Sequence, residues 1–186
     1  AGGGGFDFIS KTTISAADTV DVDNIFSSSY NVYKVIINTI TPSTNNVNLK
    51  MRLLDNSGTQ KTSSYYRSVR SGGEGFSGSV NNSQAAKEFD QNAWDITPAG
   101  STISNDTAYG GVVCEFNFYE PYSTSKRPKY IGKGHMTNQA GSGIHGSLFQ
   151  GIYNADTSTQ FRGLRFYFSS GQLASGTILV YGSKEA

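Results

Sequence analysis

The sequence predicts an all-β domain: an antiparallel two-sheet β-sandwich, jelly-roll-like, with almost no helix. Three observations predict it. Apolar and polar residues alternate over several stretches, most cleanly where Val47, Leu49, Met51 and Leu53 are separated by Asn48, Lys50 and Arg52. The chain of 186 residues holds 11 Tyr, 11 Phe and 22 Gly, without any alanine-, leucine- or lysine-rich helical stretch. Gly, Asn, Ser and Asp turn signals then divide the chain into roughly eight to ten short strands. A chain of this length fits one domain that buries roughly 70% of its unfolded surface.

Taken in order, Gly2 to Gly5 reads as a flexible tether (residues 1–5), and residues 6–186 as a single sandwich domain. Phe6 to about Ile14 opens the first strand. Ala16 to Ser29 is turn-like, with a short extended piece near Val20. Tyr30 to Ile40 is a strong strand that Thr41-Pro42 ends, because proline donates nothing to a ladder. The alternating stretch from Val47 runs into Asp55-Asn56-Ser57-Gly58, a turn in which Asx side chains bond the backbone and glycine takes positive φ. Gln60 to Val69 is expected to return as the hairpin partner. Gly72 to Ser104 lacks periodicity and reads as an irregular, functional or interface segment, with a helical turn or two in Ser83 to Asp90. Gly111 to Tyr119 reads as a strand with Val112, Cys114, Phe116 and Phe118 inward. Pro128 to Thr137 pairs with His145 to Tyr153. Leu164, Phe166 and Phe168 mark a half-buried strand expected to form a closing hairpin with Ala174 to Tyr181.

Charge and cysteine narrow the function. Fifteen basic and 14 acidic residues leave a net charge of +1, and neither sign forms a block along the chain. Nothing in that distribution implies binding to a nucleic-acid backbone or to anionic lipid. The single Cys114 excludes an intrachain disulfide, and its apolar slot makes it a small core residue. A disulfide-free chain fits assembly in a reducing compartment. No apolar run approaches the roughly 18 residues of a membrane span, and the opening AGGGGFDF has no signal-peptide pattern.

No motif demands a cofactor or metal. Gly73 to Gly78 and Gly141 to Gly146 both fit G-x-G-x-x-G, yet neither opens a helix that would face a pyrophosphate. His135 and His145 have no metal-ligand spacing, and no serine sits in a nucleophile elbow. Asp18, Asp21 and Asp23 could gather oxygens around calcium, but the glycine and glutamate of an EF-hand are missing, and a solvated turn explains them better. The aromatic and basic residues in or beside the loops are Tyr65, Tyr66, Arg67, Arg70, Trp94, Tyr109 and Tyr122. Rings stack on sugar C–H surfaces and arginine bonds hydroxyls or carboxylates, so Tyr65, Tyr66, Arg70, Trp94 and Tyr122 form the predicted glycan-contact set. The competing explanation is that these rings plug the sandwich ends or a subunit interface.

Three segments carry a resemblance: Phe8 to Ser15; Tyr30 to Ser43 with Val47 to Gly58; and Leu164 to Gly171 with Ala174 to Ile178 and Tyr181-Gly182. Together they resemble the C-terminal β-sandwich domains of tail-fibre and related virion appendage proteins of tailed bacteriophages, especially those of aquatic phages. The matched residues are strand and turn residues, so they speak for fold more than activity. The resemblance implies a non-enzymatic virion structural protein, assembled in the bacterial host cytoplasm. It implies a homotrimer that contacts other virion proteins and attaches to a host-surface glycan. A capsid decoration or cement protein of the same fold is the alternative. A glycan-cleaving enzyme would need paired carboxylates about 5–10 Å apart, and Glu74, Glu88, Glu115 and Glu120 sit in unrelated contexts.

Overall fold

A computed structural model of the chain describes residues 5–76, 79–97, 102–137, 143–155 and 159–184, so most of the glycine tether lies outside it. Twelve strands are formed and, among the described residues, no helix. They are β1 (Asp7–Ala17), β2 (Val20–Val22), β3 (Val32–Pro42), β4 (Leu49–Asp55), β5 (Tyr66–Phe76), β6 (Ser79–Gln91), β7 (Trp94–Asp95), β8 (Val112–Tyr119), β9 (Lys129–Thr137), β10 (Ile144–Tyr153), β11 (Phe161–Phe168) and β12 (Leu173–Ser183). All pairings are antiparallel.

An eight-stranded sheet has the order β1-β12-β3-β8-β9-β10-β5-β6, and a four-stranded sheet the order β2-β11-β4-β7. Without the long hairpins β5–β6 and β9–β10, eight strands remain in two sheets of four. Numbered anew along the chain, these sheets read 1-8-3-6 and 2-7-4-5, which is the strand order of a jelly roll. The two hairpins extend one sheet sideways and double its width.

Alternation decides which residues form the core. Along β8, Val112, Cys114, Phe116 and Phe118 are buried while Val113, Glu115, Asn117 and Tyr119 are partly exposed. On β11, Leu164, Phe166 and Phe168 face inward as their period of two requires, and meet Ile178 and Val180 of β12 in one apolar cluster. Burial pushes the Cys114 thiol well above its ordinary pKa, because the thiolate would have to exist in an apolar site. Cys114 is therefore expected to resist a thiol reagent in the native protein and to react once the chain is unfolded. Rapid labelling of the folded form would contradict the placement.

Four expectations change. The last two strands do not form a hairpin: β11 pairs with β2 and β4, and β12 with β1 and β3, in opposite sheets. The turn between them is pinned against another turn. Ser43 N–H donates to the Gln172 carbonyl at 2.9 Å, and Gln172 N–H donates to Ser43 Oγ at 2.8 Å. This carries the chain across the sandwich, where each strand gains two neighbours instead of one. Second, β4 has no long return partner. The turn at Gly58 (φ +80°) forms as its residues demand, with Asp55 Oδ1 accepting from Ser57 and Thr59 N–H. Beyond it only a bridge between Leu54 and Gln60 persists, and the chain leaves for the other sheet at Tyr66.

Third, the described residues of Gly72 to Ser104 are largely strand, in β5, β6 and β7, and Ser83 to Asp90 is extended within β6. Small polar residues lack an apolar face to reveal strand periodicity, yet the backbone ladder to β10 orders them. Fourth, the described residues form twelve strands, because β2 and β7, only three and two residues long, add to the count.

Candidate functional site

The predicted glycan-contact residues divide by burial. Trp94 and Tyr66 are fully buried, with ring centroids 4.8 Å apart and edge-on to each other. Trp94 also packs on Tyr130 at 5.0 Å and Phe118 at 5.7 Å, and its Nε1 donates to the Arg67 carbonyl. Arg70 is buried too, held by Glu88 (2.7 Å), Asp95 (3.2 Å) and the Thr97 carbonyl (2.5 Å). These three side chains therefore present no face to a ligand in this structure: Trp94 packs on Tyr66, and Asp95 and Thr97 engage Arg70. Tyr65 remains 46% exposed, edge-on to Tyr153, and Tyr122 is half-buried against the core. Both sit among the loops tied together at one end of the sandwich by Asn154 N–H to the Tyr65 carbonyl and Gln160 Nε2 to the Tyr122 carbonyl.

The surface that stands out is the outer face of the large sheet. Cross-strand register lays its side chains in rows. One row runs Phe8, Tyr181, Lys34, Asn117, Ile131, Gln150, Val69 and Lys87, one residue from each of the eight strands. The next runs Lys11, Leu179, Ile36, Glu115, Lys133, Leu148 and Ser71. On the other side Tyr119, Lys129, Ile152 and Arg67 align. Val69, Phe89, Ile131 and Leu148 are each 47–64% exposed here. Monomers rarely gather so many large apolar side chains on one exposed face without a use. A shallow hollow of about 370 Å³ lies between Phe89, Val69, Ile131, Ile152, Lys129 and Arg67. A second, of about 210 Å³, is bounded by Lys34, Asn117, Ile131, Lys133 and Leu148.

The charge of this face is lopsided. Among the described residues, Lys11, Lys34, Arg67, Lys87, Lys129 and Lys133 oppose only Glu115 and, at the β6 edge, Asp90. Six cations against two carboxylates leave the face four charges positive in a chain of net charge +1, so the rest of the chain sums to −3. Glu115 accepts from Lys34 at 2.8 Å and from Lys133 at 3.3 Å. The Lys34 bond, opposed by partial desolvation and aided by Lys133, holds the Glu115 carboxyl below the usual carboxylate range. No local stretch of the sequence announces this patch, because its cations are spread over five strands from Lys11 to Lys133.

Other sequence candidates are engaged elsewhere. Asp21 accepts a bidentate bond from Arg165, and Asp23 one from Arg162, which also donates to the Asn56 carbonyl. Asp18 accepts from Gln172. Among the described residues, no group of three or more His, Cys, Asp or Glu side chains converges. His135 is exposed on the outer face, whereas His145 is buried on the inner one. The two glycine motifs lie partly outside the described residues; of their described glycines, Gly73 and Gly75 are in β5 and Gly146 in β10, and Gly143 directly precedes β10.

The Arg162 bonds hold the Asp23 carboxyl below its usual range, against a smaller opposing effect of burial. A carboxyl with a folded pKa below its unfolded value adds stability at neutral pH. That stability is complete above the unfolded value and is lost as pH falls through the folded one. Asp23 and Glu115 both act in this sense, so the melting temperature is expected to drop as pH falls from 5 to 3. The part due to Asp23 should vanish in Arg162→Ala. Both pairs are partly exposed, so each contributes at most about 1 kcal/mol. An equal acid loss in wild type and Arg162→Ala would refute the assignment.

Comparison of the chain with protein-family models, with curated proteins and with solved structures finds no match. The class that fold and face define is a jelly-roll β-sandwich widened on one side into a basic, partly apolar sheet surface.

Proposed function

We propose that the chain is a non-enzymatic structural domain of a bacteriophage virion: a tail-fibre or appendage domain, working as a homotrimer, that attaches the particle to a host-surface glycan. The observation that carries this reading is the broad outer face of the large sheet. Its side chains stand on strands whose register is fixed by antiparallel pairing, which holds them more firmly than loops would. Jelly rolls recur in virion and lectin domains, and the sequence resemblance points the same way. The carboxylates also favour binding over cleavage. Glu88 meets Arg70, Glu115 meets two lysines, and Glu120 meets Lys126. The Glu74 side chain lies outside the described residues. Three copies on one particle would raise weak sugar contacts to useful avidity.

Light scattering coupled to size exclusion, with immunogold labelling of particles, tests the reading. A mass near three times 20.0 kDa and label on the tail are expected. A monomer would overturn the homotrimer. Label spread over the shell would transfer the chain to capsid decoration, and release of reducing sugar ends from host polysaccharide would overturn the non-enzymatic assignment.

A further inference from the structure

We propose that the ligand of the outer face is an acidic polysaccharide, a chain of hydroxyl-bearing sugars with repeated carboxylate or phosphate groups, laid across the strands from β3 to β6. The proposal rests on the reading of the domain as a glycan-attachment module. It names the ligand class and moves the contact surface from the buried Tyr66–Arg70–Trp94 region to this face.

Charge complementarity is the first argument. The face is four charges positive while the rest of the chain is negative, and no carboxylate meets Lys87 or Lys129 among the described residues. Neighbouring strands lie about 4.8 Å apart, and residues along a strand rise about 3.4 Å each. Lys34 and Lys133 are two strands apart and two residues out of register, about 12 Å between backbones, and their ammonium groups converge on the Glu115 carboxylate at 2.8 and 3.3 Å. Lys133 and Lys129, four residues apart on β9, are separated by about 14 Å, and Lys129 and Lys87, three strands and two residues apart, by about 16 Å. Cations at such intervals match anions repeated along an extended chain better than one compact anion.

The groups between the cations choose among polyanions. Along the central row, amides and aliphatics alternate as Asn117, Ile131, Gln150 and Val69. Sugars offer hydroxyls to amides and C–H surfaces to aliphatics at similar intervals. Acyl chains of a membrane would strand both amides without partners. Single-stranded nucleic acid needs a run of exposed rings for its bases, whereas from β3 to β6 the described residues of this face offer only Phe89 at the β6 edge, Tyr119 part-buried on β8 and the His135 imidazole on β9, with none on β10 between them. A second copy docking the same face would set like charges against each other.

The test titrates the full chain with alginate and polygalacturonate as acidic probes, and with dextran as the neutral one, at low and moderate salt. Phosphatidylglycerol vesicles and single-stranded DNA serve as polyanion controls. Variants are Lys129→Glu with Lys133→Glu on the face and Lys50→Glu on the small sheet, with Trp94 fluorescence reporting that each is folded. Expected are binding of at least one acidic probe, weakening with salt, loss of at least tenfold in the double variant, and no change in Lys50→Glu. Binding of dextran as tight as that of the acidic probes, indifference to the double variant, or vesicles or DNA bound as tightly would each overturn the proposal. Attachment to host cells without binding to either acidic probe overturns this inference alone; no attachment to host cells overturns the reading beneath it.

Discussion

Trp94→Ala is expected to cost about 3–5 kcal/mol of folding stability, the range for removing a large buried aromatic. Trp94 touches Tyr66, Tyr130 and Phe118, and thereby ties β5, β9 and β8 of the large sheet to β7, the last strand of the small one. Its indole N–H also satisfies the Arg67 carbonyl, which the truncation leaves without that partner. The packing leaves little room to collapse. A Cβ at Gly151 would already lie 2.8 Å from Trp94 Nε1 and 2.6 Å from Tyr130 Cε1, so the cluster depends on a glycine beneath it. Chemical denaturation of the variant measures the cost. As the only tryptophan, Trp94 reports its own environment in the wild type: blue-shifted emission shielded from acrylamide. A loss below about 1 kcal/mol would mean that the ring is not in the core.

Arg70→Ala is expected to cost a comparable 3–5 kcal/mol, by a different route. The guanidinium lies between Glu88 and Asp95 and also donates to the Thr97 carbonyl. Asp95 is itself buried and accepts from Thr97 N–H and Asn48 Nδ2, both at 2.9 Å. Removing the cation leaves that carboxylate in a poorly hydrated place with no opposite charge. Arg70→Met keeps most of the volume and should be nearly as damaging. Arg70→Met with Asp95→Asn should recover part of the loss, because the uncompensated charge is then gone. A double-mutant cycle reads this directly. If Arg70→Met were neutral, the ion-pair account would be wrong and the side chain would count only as packing.

Legibility from sequence followed a simple physical line. Alternation states which side of a strand is buried, so Val112, Cys114, Phe116 and Phe118, and likewise Leu164, Phe166 and Phe168, were assigned to the core without coordinates. Alternation does not state which strand lies alongside. The sequence therefore suggested a hairpin from Phe161 to Tyr181 where the chain crosses between sheets. The segment around β5 and β6 escaped because its glycines, serines and asparagines carry no apolar period; pairing with β10 makes it strand.

The candidate site was less legible. Tyr66, Arg70 and Trp94 suit a sugar site and a plugged core equally well as residue types, and only their burial separates the two. The basic face had no local signature. Residues 11, 34, 67, 87, 129 and 133 come together only through the register of eight strands.

The central claim is that this face carries attachment, and competition tests it most directly. Phage particles are adsorbed to host cells in the presence of excess purified domain, either wild type or the folded Lys129→Glu, Lys133→Glu variant. The expected result is that wild type blocks adsorption at least tenfold more effectively than the variant. Equal blocking by both, or blocking by neither, would contradict the assignment of this face to host attachment.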